Sequence, residues 1–170
     1  MWAVSARDGP VAIRYPRGGN GEYTDNSWDV GKSISDNGLC IHRSGEKIAI
    51  VTYGTLVNQA MKAADILSGM GVECAVIRLT AVAPLPVAQL SEQLDGCQYA
   101  FIIEETAGNC GIGDSLANAL ADTCPGLKTF GRDLGKRYIQ HGAVDKLYDY
   151  YGLSGQKIAD FVMGVFRDEN

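Results

Sequence analysis

Apolar residues along the chain form two kinds of pattern. Short, nearly continuous apolar runs rich in β-branched and aromatic residues predict strands. The predicted strands are 11–15, 38–43, 47–53, 73–79, 99–103 and 127–130. Apolar residues at helical spacing predict helices instead. The predicted helices are 55–70, 84–94, 114–121, 142–151 and a last helix after Ser154 with Ile158, Phe161, Val162, Val165 and Phe166 on one face.

The order of these elements predicts the fold class. Runs 38–43 and 47–53 are separated only by Ser44-Gly45-Glu46, which indicates a β-hairpin with a glycine-containing turn. After the hairpin, helices and strands alternate, as in a parallel sheet with helices on both faces and right-handed crossovers. We therefore predict an α/β fold, a three-layer α/β/α sandwich. Its five-stranded sheet is mostly parallel, with one antiparallel edge strand.

The N-terminal part of the chain does not fit this alternation. Strand 11–15 follows the turn Asp8-Gly9-Pro10, and a polar, glycine-rich stretch separates it from the next strand. We interpret residues 1–18 as the tail of a preceding domain, 19–37 as a linker and 38–170 as the main domain. A strand that stands ahead of a linker indicates that the chain is part of a larger protein.

Composition and charge exclude several function classes. The chain has 170 residues, 46% of them apolar, and a formal net charge of −5. This acidic balance argues against nucleic-acid binding, since phosphate contacts need clustered Lys and Arg. No apolar run approaches the roughly 20 residues that span a bilayer, and the N-terminus lacks the features of a signal peptide. We expect a cytoplasmic protein without a membrane partner.

Metal binding is also not expected. The five cysteines show no C-x-x-C spacing, and only two histidines could join them. Zinc sites usually need four such ligands at characteristic spacings. The sequence therefore predicts reduced thiols and no metal site.

Arg14 and Arg17, in the string IRYPRG, are the first candidates for ligand binding. They flank a proline that stiffens the backbone, and the glycines after Arg17 allow a ligand to approach the chain closely. A planar guanidinium group suits a phosphate or a carboxylate. The alternative is a pair of surface arginines at a strand end, one of them paired with an acidic residue.

A second candidate lies where strand 99–103 ends. Glu104 and Glu105 precede a turn with Gly108, Gly111 and Gly113, and a helix N-terminus after such a turn can hold an anion. The glycine order differs from the dinucleotide-binding fingerprint, and no lysine follows as in a P-loop. The glycines can therefore equally serve a tight turn and close helix packing. Adjacent strand residues face opposite sides, so at most one of the two glutamates lines a given site.

Thr55 and His141 are further candidates for ligand or interface contacts. Thr55 follows the end of strand 47–53, where open α/β sheets bind ligands, but it can also cap the next helix. His141, in YIQHG, can change charge near neutral pH, but it can also be a loop histidine bonded to the backbone. Neither a G-x-S-x-G string nor a triad is found, so we assign no catalytic residue.

Five strings spread over the chain carry a family resemblance. They are DGPVAIRYPRG at 8–18, GEKIAIVTYGTLVNQA at 45–60, VIRLTAVAPLP at 76–86, FIIEETAGNCGIGDSLANAL at 101–120 and LGKRYIQHGAVDKLYDYYGLSGQKI at 134–158. The first resembles the end of the pyrimidine-binding domain of the 1-deoxy-D-xylulose-5-phosphate synthases, in the transketolase superfamily. The other four resemble their C-terminal domain. IRYPRG and YIQHG discriminate this family from transketolases proper. Cys110 and Asp114 depart from its usual GGxGS turn.

The resemblance implies an enzyme that condenses pyruvate with glyceraldehyde 3-phosphate, with loss of carbon dioxide, on thiamine diphosphate and Mg²⁺. It implies that Arg17 holds the phosphate of this small phosphorylated sugar. The strand position of Arg14 suggests a supporting role. The family binds its cofactor through a GDG-type motif and a glutamate in earlier domains, and no GDG string occurs here. We expect the chain alone to bind no cofactor and to be inactive. Its partners would be the remaining domains and a second protomer of a homodimer.

Two other interpretations stay open. The chain can be a separately encoded C-terminal subunit of a split transketolase, or a small phosphate- or nucleotide-binding module that uses the Gly108–Gly113 turn. The reading frame upstream of Met1 distinguishes the split subunit from a fragment. A thermal-shift screen against phosphates and nucleotides tests the binding module.

Overall fold

The computed structural model describes residues 9–13, 21, 38–108 and 110–168. Within these ranges the strands are β1 (Leu39–Arg43), β2 (Ile48–Tyr53), β3 (Cys74–Leu79), β4 (Tyr99–Ile103) and β5 (Lys128–Arg132). The helices are α1 (Val57–Gly69), which follows a 3-10 turn at Gly54–Leu56, α2 (Val87–Gln93), α3 (Gly113–Thr123), α4 (Val144–Tyr151) and α5 (Gly155–Asp168). None of these helices is long and apolar enough to cross a lipid bilayer.

The strands form one mixed sheet with the order β1-β3-β2-β4-β5. Strand β2 pairs in parallel with β3 and β4, and β4 pairs in parallel with β5. Strand β1 is antiparallel to β3 at the edge. The predicted five-stranded, mostly parallel sheet with one antiparallel edge strand is therefore confirmed.

The predicted hairpin between the first two strands is wrong. Strand β1 pairs with β3, with Leu39 opposite Leu79 and Ile41 opposite Ile77. Residues Ile48–Thr52 of β2 are buried, and such a strand is most stable between two neighbours in the sheet interior. Strand β1 is only partly covered, with Ile41 45% exposed, and it takes the outer edge beyond β3.

Gly45 makes this arrangement sterically possible. The connection from β1 to β2 passes so close to the start of β3 that a Cβ atom on Gly45 would overlap the backbone nitrogen of Ala75. The glycine that suggested a hairpin turn in the sequence instead allows two backbone segments to approach each other.

Side-chain alternation along the strands builds two apolar layers, one on each face of the sheet. One layer packs against α1 and α5 and includes Ile48, Ile50, Val76 and Phe101. The other packs against α2 and α3 and includes Val51, Ile77, Leu90 and Leu116. The two layers confirm the predicted three-layer sandwich, in which a strand interior is covered on both faces.

The N-terminal residues that the structure describes lie outside the sheet. Residues 9–13 form no strand, and Ile13 is 70% exposed. A strand needs a neighbour to complete its backbone hydrogen bonds, and the sheet of the described residues does not include this segment. The rest of the predicted strand 11–15, and the predicted linker 19–37 apart from Gly21, lie outside the described residues.

We expect Gly45→Ala to destabilise the domain by about 1–3 kcal/mol, because the added methyl group meets backbone that cannot move away easily. Gly164→Ala is the matched control. A Cβ atom on Gly164, inside α5, would have open space around it, and alanine should stabilise the helix by about 0.5–1 kcal/mol. Urea unfolding followed by circular dichroism measures both changes. Equal effects of the two substitutions would contradict the close approach at Gly45.

Candidate functional site

The carboxyl ends of β2 and β4 form the switch point of the sheet. The chain leaves β2 towards α1 on one face and leaves β4 towards α3 on the opposite face. Because β2 and β4 are neighbours, the two connections diverge between them. In open α/β sheets this divergence forms the crevice in which ligands bind. The residues at this point are 53–55 and 104–106.

Tyr53 and Glu104 meet directly in this crevice. Val51 is opposite Ile102 in the parallel register, so two residues further along Tyr53 lies beside Glu104. The Tyr53 hydroxyl donates a hydrogen bond to Glu104 Oε2 at 3.0 Å. The phenol and the carboxylate therefore fill the space that the diverging connections leave.

Glu104 also holds the N-terminus of α3. The backbone N–H of Ile112 donates to Oε2 at 2.7 Å, and that of Gly113 donates to Oε1 at 2.9 Å. The carboxylate is 7% exposed, and its negative charge faces the positive end of the helix dipole. These N–H groups have no partner within their own helix, so Glu104 satisfies donors that would otherwise need water or an external anion.

The glycines of the turn make room for this internal carboxylate. A Cβ atom on Gly111 or on Gly113 would overlap the Glu104 carboxylate oxygens. Gly108 has a φ of +50° and packs against Lys136 in the loop after β5. The helix N-terminus after this turn therefore holds an anion that belongs to the protein, the Glu104 carboxylate. This geometry favours the interpretation of the glycines as packing residues over a phosphate-binding turn.

Glu105 faces the opposite side of the sheet, as the alternation of strand residues predicts. Its Oε2 accepts a hydrogen bond of 2.7 Å from the hydroxyl of Tyr148, which is 8% exposed on α4. Glu104 thus connects β4 to β2 and α3, while Glu105 connects β4 to α4. The side chains of the two adjacent glutamates therefore form contacts on opposite faces of the sheet.

Both phenol groups are held in the protonated form. Burial raises the pKa of Tyr53 to about 12, and the charge of Glu104 adds to the shift. Burial also raises the pKa of Tyr148, with a further contribution from its hydrogen bond to Glu105, while the Thr55 hydroxyl acts in the opposite direction. At neutral pH the two tyrosines are therefore hydrogen-bond donors and not general bases.

Thr55 and His141, the two further candidates from the sequence, have different surroundings. Thr55 is half-buried in the 3-10 turn, and its carbonyl accepts a hydrogen bond of 2.7 Å from Asn58 Nδ2. The cap positions Tyr53 and Leu56 make no side-chain cap bond. His141 is exposed in the loop between β5 and α4. The structure brings Thr55 near Tyr148 and leaves His141 at the surface.

Arg14 and Arg17 lie outside the described residues, so their assignment stays a prediction. Tyr53 and Tyr148 are the residues of this candidate site that the sequence analysis missed. Tyr53 closes its strand just as Glu104 follows the neighbouring one, and this parallel position was a usable signal. Nothing local pointed to Tyr148, which reaches Glu105 from 43 residues away.

We expect Glu104→Gln to destabilise the domain by about 1–3 kcal/mol. The amide has one acceptor oxygen where the carboxylate uses two, and its NH₂ group would face an N–H donor of α3. Glu92→Gln, on the exposed side of α2, is the control and should change the free energy of unfolding little. Chemical unfolding of both variants tests this. If Glu104→Gln is as stable as the control, the carboxylate does not hold the helix.

A second prediction concerns alkaline pH. Tyr53 has a folded-state pKa of about 12 against an ordinary value of 10. Its contribution to stability is therefore complete below about pH 10 and is lost as the pH rises to about 12. Tyr53→Phe should lose less stability than the unmodified chain over this range. The urea midpoint against pH measures the difference, with Tyr138→Phe, at a 92% exposed position, as control. Identical pH profiles for the two variants would refute the raised pKa of Tyr53 in the folded state.

Comparison with known proteins found a family model and curated relatives that match most of the chain. The family model described as "Transketolase, C-terminal domain" matches residues 39–158. The 1-deoxy-D-xylulose-5-phosphate synthase of Caldanaerobacter subterraneus subsp. tengcongensis is 32% identical over 95% of this chain and 25% of its own length. The synthase of Chlorobaculum tepidum is 29% identical over 95% of this chain and 25% of its own length. The chain thus spans about a quarter of the length of these curated relatives.

Two solved structures share the fold. A split gene transketolase in an inactive beta4 tetramer superposes with a TM-score of 0.65 and 20% identity, over 74% of this chain and 41% of the other. The transketolase of Campylobacter jejuni superposes with a TM-score of 0.53 and 18% identity, over 75% of this chain and 18% of the other. The α/β sheet with its antiparallel edge strand and the match over 39–158 lead to one conclusion: the chain belongs to the transketolase C-terminal domain family.

Proposed function

We propose that the chain is the C-terminal part of a cytoplasmic, thiamine-diphosphate-dependent 1-deoxy-D-xylulose-5-phosphate synthase. The parent enzyme would condense pyruvate with glyceraldehyde 3-phosphate and release carbon dioxide, a step of isoprenoid precursor synthesis. One observation carries the proposal: synthases match the chain over 95% of its length while the chain spans only 25% of theirs. The missing three quarters would contain the cofactor site.

We expect the cofactor to bind outside the described domain. Among the described residues, no group of three His, Cys, Asp or Glu side chains could hold a divalent cation. Glu104, the buried carboxylate of the switch point, already binds Tyr53 and the N-terminus of α3. Thiamine diphosphate and Mg²⁺ would therefore be bound by the other domains of the parent enzyme, and the chain alone would be inactive.

The role we propose for the described domain is assembly of the parent enzyme. Its loop after β5 and its helix α4 expose large apolar side chains, with Tyr138 92%, Tyr150 63% and Val144 47% exposed. Aromatic residues are enriched at protein interfaces. These three residues form the surface that we expect to contact the remaining domains or the second protomer of a homodimer. His141 lies in the same loop and would share that contact.

Substrate binding is proposed for the N-terminal piece. We assign residues 1–18 to the preceding domain, which agrees with a family match that begins only at residue 39. Arg17 would hold the phosphate of glyceraldehyde 3-phosphate through its guanidinium group, and Arg14 would support it. The chain would thus deliver a substrate contact to a site that the other domains complete.

We expect calorimetric titration of the isolated chain with thiamine diphosphate and Mg²⁺ to give no binding in the micromolar range. The complete parent protein, titrated in the same buffer, is the positive control. Micromolar binding to the isolated chain would overturn the proposed division of roles. If the frame upstream of Met1 encodes no other domain, adding the separately encoded remainder should restore activity, as for a split enzyme.

In the complete enzyme, we expect Arg17→Ala to raise the KM for glyceraldehyde 3-phosphate by about 10–100-fold, the range expected for one lost hydrogen bond to a charged group. The KM for pyruvate should change little, because pyruvate carries no phosphate. Arg167→Ala, near the end of α5, is the control. Steady-state kinetics with both substrates separates the effects, and equal changes in the two KM values would argue against phosphate recognition.

A further inference from the structure

Two of the five cysteines, Cys97 and Cys124, line one cavity of about 210 Å³ at the amino-terminal edge of the sheet. Cys97 lies two residues before β4, and Cys124 follows the last residue of α3. Both side chains are partly buried against the apolar layer that packs on α2 and α3. Glu104 lies at the other end of β4, so this cavity is separate from the candidate site at the switch point.

Backbone hydrogen bonds hold the two cysteines at this edge. The N–H of Lys128 donates to the carbonyl of Gln98, the residue after Cys97, at 2.9 Å, where β4 and β5 begin their parallel pairing. The N–H of Leu127, the residue before Lys128, donates to the carbonyl of Cys124 at 3.1 Å. One strand pair and one turn therefore connect the two cysteines. Paired strands lie about 5 Å apart, close to the roughly 4–7 Å between Cα atoms that a disulfide spans.

The surroundings of the two thiols agree with this closeness. Burial raises the pKa of the Cys97 thiol, and the neighbouring Cys124 and Asp95 add to the shift. A charge on one sulfur atom is therefore felt by the other. A Cβ atom on Gly96 or on Gly126, in the turns beside the two cysteines, would have open space around it. Small adjustments of the backbone at these turns would thus meet no obstacle.

The other three cysteines lie elsewhere in the domain. Cys74 belongs to the apolar layer on the opposite face of the sheet, and Cys40 lies on the edge strand β1. Cys110 is exposed in the turn after β4. None of these three lines the cavity, so the structure singles out one pair.

We propose that Cys97 and Cys124 form a reversible disulfide, which acts as a redox-sensitive clamp on the segment between them. This segment contains β4, Glu104, the glycine turn and α3. The cross-link would restrict the open forms of the segment and thereby stabilise the attachment of α3 to the sheet. In a reducing compartment such a disulfide is usually transient and redox-sensing. The clamp does not depend on the proposed synthase activity.

The oxidant is a small-molecule disulfide, for example oxidised glutathione. One cysteine thiolate attacks a sulfur atom of the oxidant, forms a mixed disulfide and releases one small thiol. The second thiolate attacks the protein sulfur of the mixed disulfide, forms the bond between Cys97 and Cys124 and releases the other small thiol. The two protein thiols lose two electrons and two protons, which the oxidant gains. Because the thiolate is the reactive form and the pKa of Cys97 is raised, the reaction should be faster at about pH 9 than at about pH 7.

Oxidised glutathione, added to the reduced 170-residue chain, is the probe. Mass spectrometry of the intact chain should show the loss of two hydrogen atoms, and peptide mapping should find the bond between Cys97 and Cys124. Oxidation should raise the unfolding temperature by about 5–15 °C, the range expected for a cross-link over a loop of this length. Dithiothreitol should reverse both changes. Amide hydrogen exchange in α3 should be slower in the oxidised chain than in the reduced one.

Single substitutions separate this pair from the other thiols. Cys97→Ala and Cys124→Ala should each lose the cross-link and the rise in unfolding temperature, while Cys110→Ala, at an exposed position, is the matched control and should retain both. In the unmodified chain, failure to form the bond would overturn the inference, whether the thiols stay reduced or each binds glutathione separately. A bond to another cysteine would also overturn it. A bond between Cys97 and Cys124 that leaves the unfolding temperature unchanged or lower would refute the clamp. These results leave the proposed function intact.

Discussion

The carboxylate of Glu104 is the interaction on which the architecture of the sheet edge depends. It accepts hydrogen bonds from Tyr53 on β2 and from two backbone N–H groups at the start of α3. A single buried side chain thereby joins two neighbouring strands and a helix at the point where their connections diverge. Removal of the whole carboxylate would leave the helix donors and the phenol without an acceptor, which is costly in a buried environment.

This interaction also explains why the glycine-rich turn at 108–113, which resembles a ligand-binding turn in the sequence, has a structural role. A glycine-rich turn before a helix is the usual form of an anion site, and here the turn does surround an anion. Gly111 and Gly113 are small because the Glu104 carboxylate lies against them. The positive end of α3 is thus neutralised within the domain.

A domain whose switch point is closed by its own side chains is suited to a supporting role in a larger enzyme. The relatives are about four times as long as the chain, and the surface around Tyr138 and Tyr150 is exposed in the described domain. The domain would supply packing surface, while the preceding piece of the chain would supply Arg17. The hydrogen-bonded crevice and the exposed aromatic surface both support the proposed supporting role.

Periodicity in the sequence was sufficient to identify the type and approximate bounds of β2, β3, β4 and all the helices, because burial on one stripe or on both faces leaves a local pattern. The family resemblance could likewise be recognised from short strings. The neighbours of β1, the partner of Glu104 and the contact between Tyr148 and Glu105 were decided by tertiary structure. Strand pairing depends on which strands become neighbours when the chain folds. The contact between Tyr148 and Glu105 joins residues 43 positions apart, so no local pattern indicates it. Gly45 illustrates the difference between local pattern and tertiary structure. Its sequence context suggested a hairpin turn, and its close approach to the backbone of Ala75 is visible only in the folded chain.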